Sequence, residues 1–342
     1  MTTMTARHRA ASRRAASFLI AIVLGTCVTL AGCAGTGEHR PAVVVTTNIL
    51  GDVTRRVIGD EAEVTVLMKP DSDPHSFAIS AREAAGIEKA ALVVYNGLGL
   101  EEGVLRHVQA ARDAGVPALA VGDGIDPIRY TAGRSESETD ADARNAGADT
   151  GSPGNAGNDM AGRPDPHFWT DPRRMARAVD LIAERIVAEV DGVNAAVIRA
   201  NAARCRAAIE ELDAWMEARF AAIPPGRRNL VTNHHVFGYL ALRYEFRVVG
   251  AVIPSGTTLA SPSASDLKSL ADAIRAAGVS AIFADSSQPD RLAQVLASEA
   301  GLEVRVIPLF SESLSTVRKG ASSYVEMMRS NTEALVSGLS EG

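Results

Sequence analysis

The sequence predicts an α/β protein with two lobes of mainly parallel sheet, joined by one long rigid helix. The chain has 342 residues, 46% of them hydrophobic, which is enough for two domains with cores. Short apolar runs alternate with helical patterns in both halves, as in βαβ units. Between the halves, residues 191–223 contain the linking helix, which at ~1.5 Å per residue spans roughly 40 Å.

The first 32 residues are predicted to be a lipoprotein signal peptide. Arginines precede an apolar stretch, and the stretch ends in Leu30-Ala-Gly-Cys33, which resembles the bacterial lipobox. Cys33 is therefore the predicted lipidation site, and 33–41 a flexible tether. An ordinary signal cleaved near Ala31 is the alternative. The mature chain is expected to be extracytoplasmic and lipid-anchored to the cell membrane.

The charge balance excludes some classes of partner. The net charge is −6 and aromatic residues make up 4%, whereas a nucleic-acid binder usually shows a basic balance or stacking aromatics. No nucleic-acid partner is expected, and the protein is expected to be a monomer. After loss of the signal and acylation of Cys33, Cys205 is the remaining cysteine, so no intramolecular disulfide is predicted.

The N-terminal lobe is predicted to cover 42–190. Its predicted strands are 43–47, 64–68, 92–95 and 117–121, and its predicted helices are 49–58, 81–90, 101–114 and 172–190. Asp171 and Pro172 are typical of a helix start, as N-cap and first helical residue. Within this lobe, 131–165 lacks Val, Ile, Leu, Phe, Tyr and Trp and holds seven acids. It is predicted to be a mobile acidic loop.

The linking helix and the C-terminal lobe, 224–342, follow. The helix is predicted to bury a face made of Val197, Asn201, Cys205, Ala208, Leu212, Trp215 and Phe220. The lobe has predicted strands at 230–232, 247–252, 281–284 and 304–308, and predicted helices at 238–244, 264–277, 291–300 and 322–339.

Four histidines stand close to the ends of predicted strands. His75 and His167 both lie in Asp-Pro-His tripeptides, and His234 and His235 follow a strand of the second lobe. Ligands of open α/β sheets bind outside the carboxyl ends of strands, so a cleft between the lobes would bring these rings together. The neighbouring Asp is positioned to orient each imidazole.

Three imidazoles favour Zn²⁺ in tetrahedral geometry. A carboxylate would complete the site, and both Asp285 and Glu312 follow late strands of the second lobe. Because the imidazoles must be deprotonated, affinity is expected to fall below a pH of ~6.5.

The sequence resembles the metal-specific solute-binding proteins of bacterial ABC importers, the zinc/manganese cluster A-I. The resemblance covers most of the chain after Pro41. Its motifs are Thr46–Asp52, Ser72–Phe77, Tyr95–Glu101, Asp165–Pro172, Val231–Tyr239, Ala281–Asp285 and the tail from Tyr324 to Asn331.

This resemblance implies a metal site in the cleft between the lobes. His75, His167 and His234 match the family's histidine ligands, and Glu312 matches the fourth ligand, which is normally Asp. His235 is implied to be a neighbour, and Asp285 an acidic residue that is not a ligand.

The implied function is capture of Zn²⁺ for an ABC transporter permease, with no enzymatic activity. A manganese receptor is the first alternative, although Mn²⁺ prefers more oxygen ligands. A zinc hydrolase would need an open metal position and a general base, and no His-Glu-x-x-His motif is present. An adhesin role is a third possibility.

Overall fold

The computed structural model describes residues 41–130, 160–300 and 304–340. The predictions for the signal peptide, Cys33, the tether up to Arg40 and 131–159 of the acidic loop lie outside the described residues.

The first sheet consists of four parallel strands, each of them short. They are β1 (Ala42–Val45), β2 (Glu63–Val66), β3 (Leu92–Tyr95) and β4 (Ala118–Ala120). Their order is β2-β1-β3-β4, and β1 pairs in register from Ala42 opposite Glu63 to Val45 opposite Val66. β1 and β3 lie in the middle and are apolar throughout, as expected of strands covered on both faces. The accompanying helices are α1 (Asn48–Ile58), α2 (Ala81–Ile87) and α3 (Leu105–Asp113).

Two helices connect the sheets, α4 (Pro172–Glu189) and α5 (Ala195–Phe220). The Asp171 carboxylate accepts the Arg173 N–H at 2.9 Å, so α4 starts as predicted. The 26 residues of α5 span roughly 40 Å. The helix packs against α1, α4 and the C-terminal helix.

The predicted buried face of α5 was wrong by about one residue along much of the helix. The buried residues are Ile198, Ala202, Cys205, Ile209, Leu212, Met216 and Phe220. Val197 is exposed and Trp215 only half-buried. The apolar pairs Val197-Ile198 and Trp215-Met216 allow two helical phases, and packing against the neighbouring helices selects one of them.

The second sheet repeats the topology of the first. Its strands are β5 (Asn229–Thr232), β6 (Arg247–Ala251), β7 (Ala281–Asp285) and β8 (Arg305–Leu309), in the order β6-β5-β7-β8. All pairings are parallel. The helices are α6 (Gly238–Tyr244), α7 (Ala264–Ala277), α8 (Arg291–Ala300) and α9 (Tyr324–Ser340). The predicted fold class, two parallel-sheet α/β lobes, is confirmed.

One hydrophobic core extends through both lobes. It includes Val43 from the first sheet, Leu212 from α5, and Phe283 and Tyr324 from the second lobe. Each sheet has a smaller separate cluster on its other face, against α2 and α3 in one lobe and α7 and α8 in the other. Across the described ranges, no helix combines the length and hydropathy needed to cross a membrane.

Residues 162–165, at the C-terminal end of the predicted acidic loop, pair with residues 128–130. Arg129 forms an antiparallel bridge with Pro164, and the Asp165 N–H donates to the Ile128 carbonyl at 2.9 Å. Met160 and Asp165 are both buried. The composition of 160–165 is polar, but these residues are held by backbone hydrogen bonds to 128–130, which composition does not reveal.

Candidate metal centre

Four predicted site residues meet between the two sheets. His75 and His167 come from the first lobe, and His234 and Glu312 from the second. Each offers one ligand atom, and these atoms all lie within 4.8 Å of one another. Both sheets direct the carboxyl ends of their strands toward this place, which brings together residues far apart in sequence.

The distances between the ligand atoms match a four-coordinate ion. The Nε2 atoms of His75 and His167 are 3.4 Å apart; Glu312 Oε2 lies 3.6 Å from the first and Glu312 Oε1 lies 3.6 Å from the second. The other short distance, 3.1 Å, joins Glu312 Oε1 to His234 Nε2. Bonds of ~2.0–2.1 Å in tetrahedral geometry place neighbouring ligand atoms about 3.3 Å apart.

The four side chains are buried, and several of their polar atoms have no hydrogen-bond partner. Each residue is at most 1% exposed. Within the described residues, the atoms without a partner are His75 Nδ1, both ring nitrogens of His234 and both carboxylate oxygens of Glu312. Each such buried group costs about 1–3 kcal/mol. A bound cation would compensate for part of this cost by coordinating Glu312 and one nitrogen of His234 directly.

His167 has the most firmly fixed ring of the three. Its Nδ1 lies 2.7 Å from Asp165 Oδ1, and the same oxygen accepts the His167 backbone N–H at 2.9 Å. The hydroxyl of Tyr130 is 3.2 Å from Nδ1. Since Asp165 accepts the Nδ1 proton, the lone pair of Nε2 is directed into the cluster.

The other Asp-Pro-His tripeptide, which ends at His75, does not repeat this ring contact. Asp73 accepts the His75 backbone N–H at 2.9 Å, as Asp165 does for His167, but the His75 Nδ1 has no partner in the described chain. The other Asp73 oxygen accepts hydrogen bonds from Thr258 at 2.6 Å and Gln288 at 3.1 Å, both from the second lobe. The expectation that each Asp orients its imidazole is therefore met only at His167.

The His-His pair after β5 is divided between two environments. His234 is fully buried in the cluster, and its carbonyl accepts the Thr232 hydroxyl at 2.7 Å. His235 is less buried, its backbone N–H donates to the Ser255 carbonyl, and its ring does not belong to the cluster.

The loop that carries Glu312 is held by the first lobe. Asn48, the first residue of α1, donates to the Ser313 hydroxyl at 2.8 Å and accepts the Leu314 N–H at 2.9 Å. Asp285 ends β7 outside the cluster, where Ser287 and Ser311 hydroxyls donate to its carboxylate. Of the two carboxylates considered from the sequence, the structure therefore places Glu312 among the histidines.

Burial shifts the proton equilibria of the cluster in opposite directions. Loss of hydration lowers the pKa of His75 to about 4 and that of His167 to about 3, and it also lowers the pKa of His234. It raises the pKa of Glu312 to about 7. His75 and His167 are therefore already neutral at a pH of ~6.5, so protonation of these two rings does not account for the fall in affinity expected there.

Sequence reasoning missed three supporting residues. Tyr130 is the last residue before the acidic loop, Thr258 lies in a loop of the second lobe, and Asn48 begins α1. Asn48 falls in a motif that carried the resemblance, but its role is set by contacts with residues more than 260 positions away. No local pattern identifies such contacts.

Comparison with known proteins agrees with this architecture. The chain is 24% identical over 333 residues to the manganese-binding lipoprotein MntA of Halalkalibacterium halodurans, covering 95% of this chain and 98% of that protein. It is 25% identical over 306 residues to the zinc-binding protein TroA of Treponema pallidum, covering 88% and 90%. It is also 25% identical over 334 residues to the iron-binding protein YfeA of Yersinia pestis, covering 95% and 97%.

The solved structure of the periplasmic zinc-binding protein TroA from Treponema pallidum shares the fold, with a TM-score of 0.74 at 24% identity. The alignment covers 88% of this chain and all of that one. The family model described as ZnuA, zinc-uptake complex component A, periplasmic, matches residues 43–338. The chain belongs to this family.

Proposed function

We propose that this protein is the receptor of an ABC-type importer, which captures a divalent metal ion outside the cytoplasm and delivers it to the permease. The observation that carries the proposal is the convergence of His75, His167, His234 and Glu312 from two lobes, with ligand atoms within 4.8 Å of one another. Family membership supports the transport role.

Zn²⁺ is the favoured cargo. Three neutral imidazoles and one carboxylate match the nitrogen-rich, four-coordinate sites of Zn²⁺, whereas Mn²⁺ prefers oxygen ligands and higher coordination numbers. The low pKa values of His75 and His167 support this role, because both rings are ready to bind at neutral pH.

A manganese receptor is the second candidate. The supporting observations are the Glu312 carboxylate, which offers two oxygens, and the relative named as manganese-binding. Relatives at similar identity are named for zinc and iron, so identity alone does not favour one metal.

Binding rather than catalysis fits the burial of the cluster. A hydrolase needs an open metal position, access for its substrate and a general base. Here Glu312, the residue considered as the base, has its carboxylate oxygens 3.1 to 3.6 Å from the Nε2 atoms of all three histidines, and it is 1% exposed.

The proposed lipid anchor at Cys33 rests on the Leu30–Cys33 pattern of the sequence. Relatives that are named as lipoproteins support it.

The test is a competition titration of metal-free protein with Zn²⁺, Mn²⁺ and Fe²⁺ against chromophoric chelators, together with elemental analysis of protein from its native host. We expect one Zn²⁺ per chain in both measurements. Since Zn²⁺ outcompetes Mn²⁺ at most sites, manganese in the native protein would identify the second candidate despite tighter Zn²⁺ binding in vitro.

A further inference from the structure

The hydroxyl group of Tyr130 reaches the back of the metal cluster. It lies 3.2 Å from His167 Nδ1, the nitrogen that also contacts the Asp165 carboxylate at 2.7 Å. The Tyr130 backbone is fixed on both sides, because its N–H donates to the Arg163 carbonyl and its carbonyl accepts the Gly162 N–H. The position of this phenol is therefore fixed by the backbone pairing of Tyr130 with Gly162 and Arg163.

The opposite lobe shapes the place where the Tyr130 ring lies. A Cβ atom added at Gly256 would stand 2.6 Å from Cζ and 2.9 Å from Cε2 of the ring, closer than side chains approach each other. Only a residue without a side chain lets the ring pack against this backbone. The neighbouring Ser255 hydroxyl contacts the Met160 sulfur at 3.5 Å. The loop that carries Ser255 and Gly256 therefore contacts both Tyr130 and Met160.

From these contacts we propose that Tyr130 is a positioning residue for the metal site, which acts through Asp165 and His167. The inference rests on the proposed function. A hydroxyl at hydrogen-bond distance from Nδ1 helps to keep the ring against the Asp165 carboxylate, and Nε2 is then presented to the ion. Removal of a hydrogen-bond partner behind a metal ligand typically lowers metal affinity about 10- to 100-fold.

The three histidines differ in this respect, which makes the effect measurable. Nδ1 of His75 and of His234 has no hydrogen-bond partner among the described residues, so His167 is the ligand whose ring orientation is set before a metal arrives. Loss of the Tyr130 hydroxyl therefore acts on the best-ordered ligand.

The test compares Tyr130→Phe with Tyr244→Phe. The control removes a phenol hydroxyl that donates to a carboxylate, Asp213 at 2.7 Å, away from the histidines. With Zn²⁺ as probe, we expect Tyr130→Phe to weaken binding about tenfold and Tyr244→Phe to leave the dissociation constant unchanged. With Co²⁺, the visible d–d absorption should change in Tyr130→Phe only, which a loss of stability alone would not produce.

Gly256→Ala gives a second route to the same contact. It keeps the hydroxyl but displaces the ring, so it should weaken Zn²⁺ binding, and adding it to Tyr130→Phe should cost less than the sum of the two single effects. If Tyr130→Phe does not fold, the Zn²⁺ affinity and Co²⁺ spectrum of Gly256→Ala decide the question.

Wild-type Zn²⁺ affinity and Co²⁺ spectrum in the folded Tyr130→Phe protein, or in Gly256→Ala, would overturn the assignment of Tyr130. That result would leave the proposed function intact. Failure of the wild-type protein to bind any of the metal ions would instead end the proposed function and this inference together.

Discussion

Trp169 donates its indole N–H to the backbone carbonyl of Ser311 at 2.9 Å. Trp169 follows His167 by two residues, and Ser311 directly precedes Glu312, so one hydrogen bond joins two segments that carry proposed ligands, from different lobes. The Trp169 carbonyl in turn accepts the Tyr324 hydroxyl at 2.8 Å. The relative position of His167 and Glu312 is thus fixed by neighbours and not only by a metal ion.

The indole of Trp169 should report metal binding. Its ring centroid is 5.2 Å from that of His167, whereas Trp215 lies on α5 beneath the Arg329 guanidinium. We expect Zn²⁺ to change the tryptophan emission of the wild type and of Trp215→Phe, and to have no such effect in Trp169→Phe. A response that disappears with Trp215 would show that binding changes the structure around α5 instead.

Adjacent histidines provide a sharp test of the ligand set. Four ligands that share a zinc binding energy of ~10–16 kcal/mol contribute ~3 kcal/mol each, so His234→Ala should weaken Zn²⁺ binding by about a hundredfold or more. His235→Ala is the control, because the His235 ring lies outside the cluster, and this variant should bind Zn²⁺ with wild-type affinity. Isothermal titration calorimetry measures both. Equal losses in the two variants would contradict the assignment of His234.

The pH dependence of affinity should follow the carboxyl group of Glu312. Its pKa of about 7 means that one proton must leave when a metal binds below that pH. We expect the Zn²⁺ association constant to fall about tenfold per pH unit below pH ~7, and Glu312→Gln to bind more weakly with a flatter pH profile. A fall of about a thousandfold per unit would mean that three imidazoles titrate instead.

The contact between Thr258 and Asp73 joins the lobes next to a ligand. The Thr258 hydroxyl donates at 2.6 Å to a carboxylate two residues before His75. A hydrogen bond to a charged group contributes about 1.5–3 kcal/mol, so we expect Thr258→Val to accelerate Zn²⁺ release about tenfold or more in stopped-flow chelator experiments. Thr258→Ser keeps the hydroxyl and should restore slow release. Equal rates in all three proteins would show that this contact does not limit release.

The buried face of α5 makes a stability prediction. Leu212 is fully buried against both lobes, so Leu212→Ala should lower the free energy of unfolding by about 2–5 kcal/mol in urea titrations of the metal-free protein. Val197→Ala, at an exposed position on the same helix, should change it by less than about 0.5 kcal/mol. A loss of about 1 kcal/mol or more for Val197→Ala as well would favour the helical phase that the sequence predicted, in which both residues are buried.

Local patterns in the sequence were sufficient for most of the fold. The valines of β1 and the Asp171-Pro172 start of α4 depend on neighbouring residues, and both are found in the structure. The histidines were predicted to meet because strand ends in α/β sheets are a shared place for ligands. Glu312 was distinguished from Asp285 by resemblance, and its position among the histidines agrees with that choice.

The remaining features depend on contacts between distant segments. Asp73 turns toward Thr258 and Gln288 instead of the His75 ring, and these partners lie 185 and 215 positions further along the chain. The phase of α5 is selected by the three helices that pack against it. The conformation of the residues around Pro164 is set by pairing with the segment around Arg129, which lies 35 positions earlier in the chain. Periodicity and composition describe single segments, so they carry no information about such pairings.

The near-complete burial of His75, His167, His234 and Glu312 has a consequence for delivery. An ion enclosed by these four groups is out of reach of bulk chelators and of any acceptor that waits at the protein surface. The rate of metal release is then set by how often the polypeptide opens. Metal affinity and release rate can therefore depend on different residues.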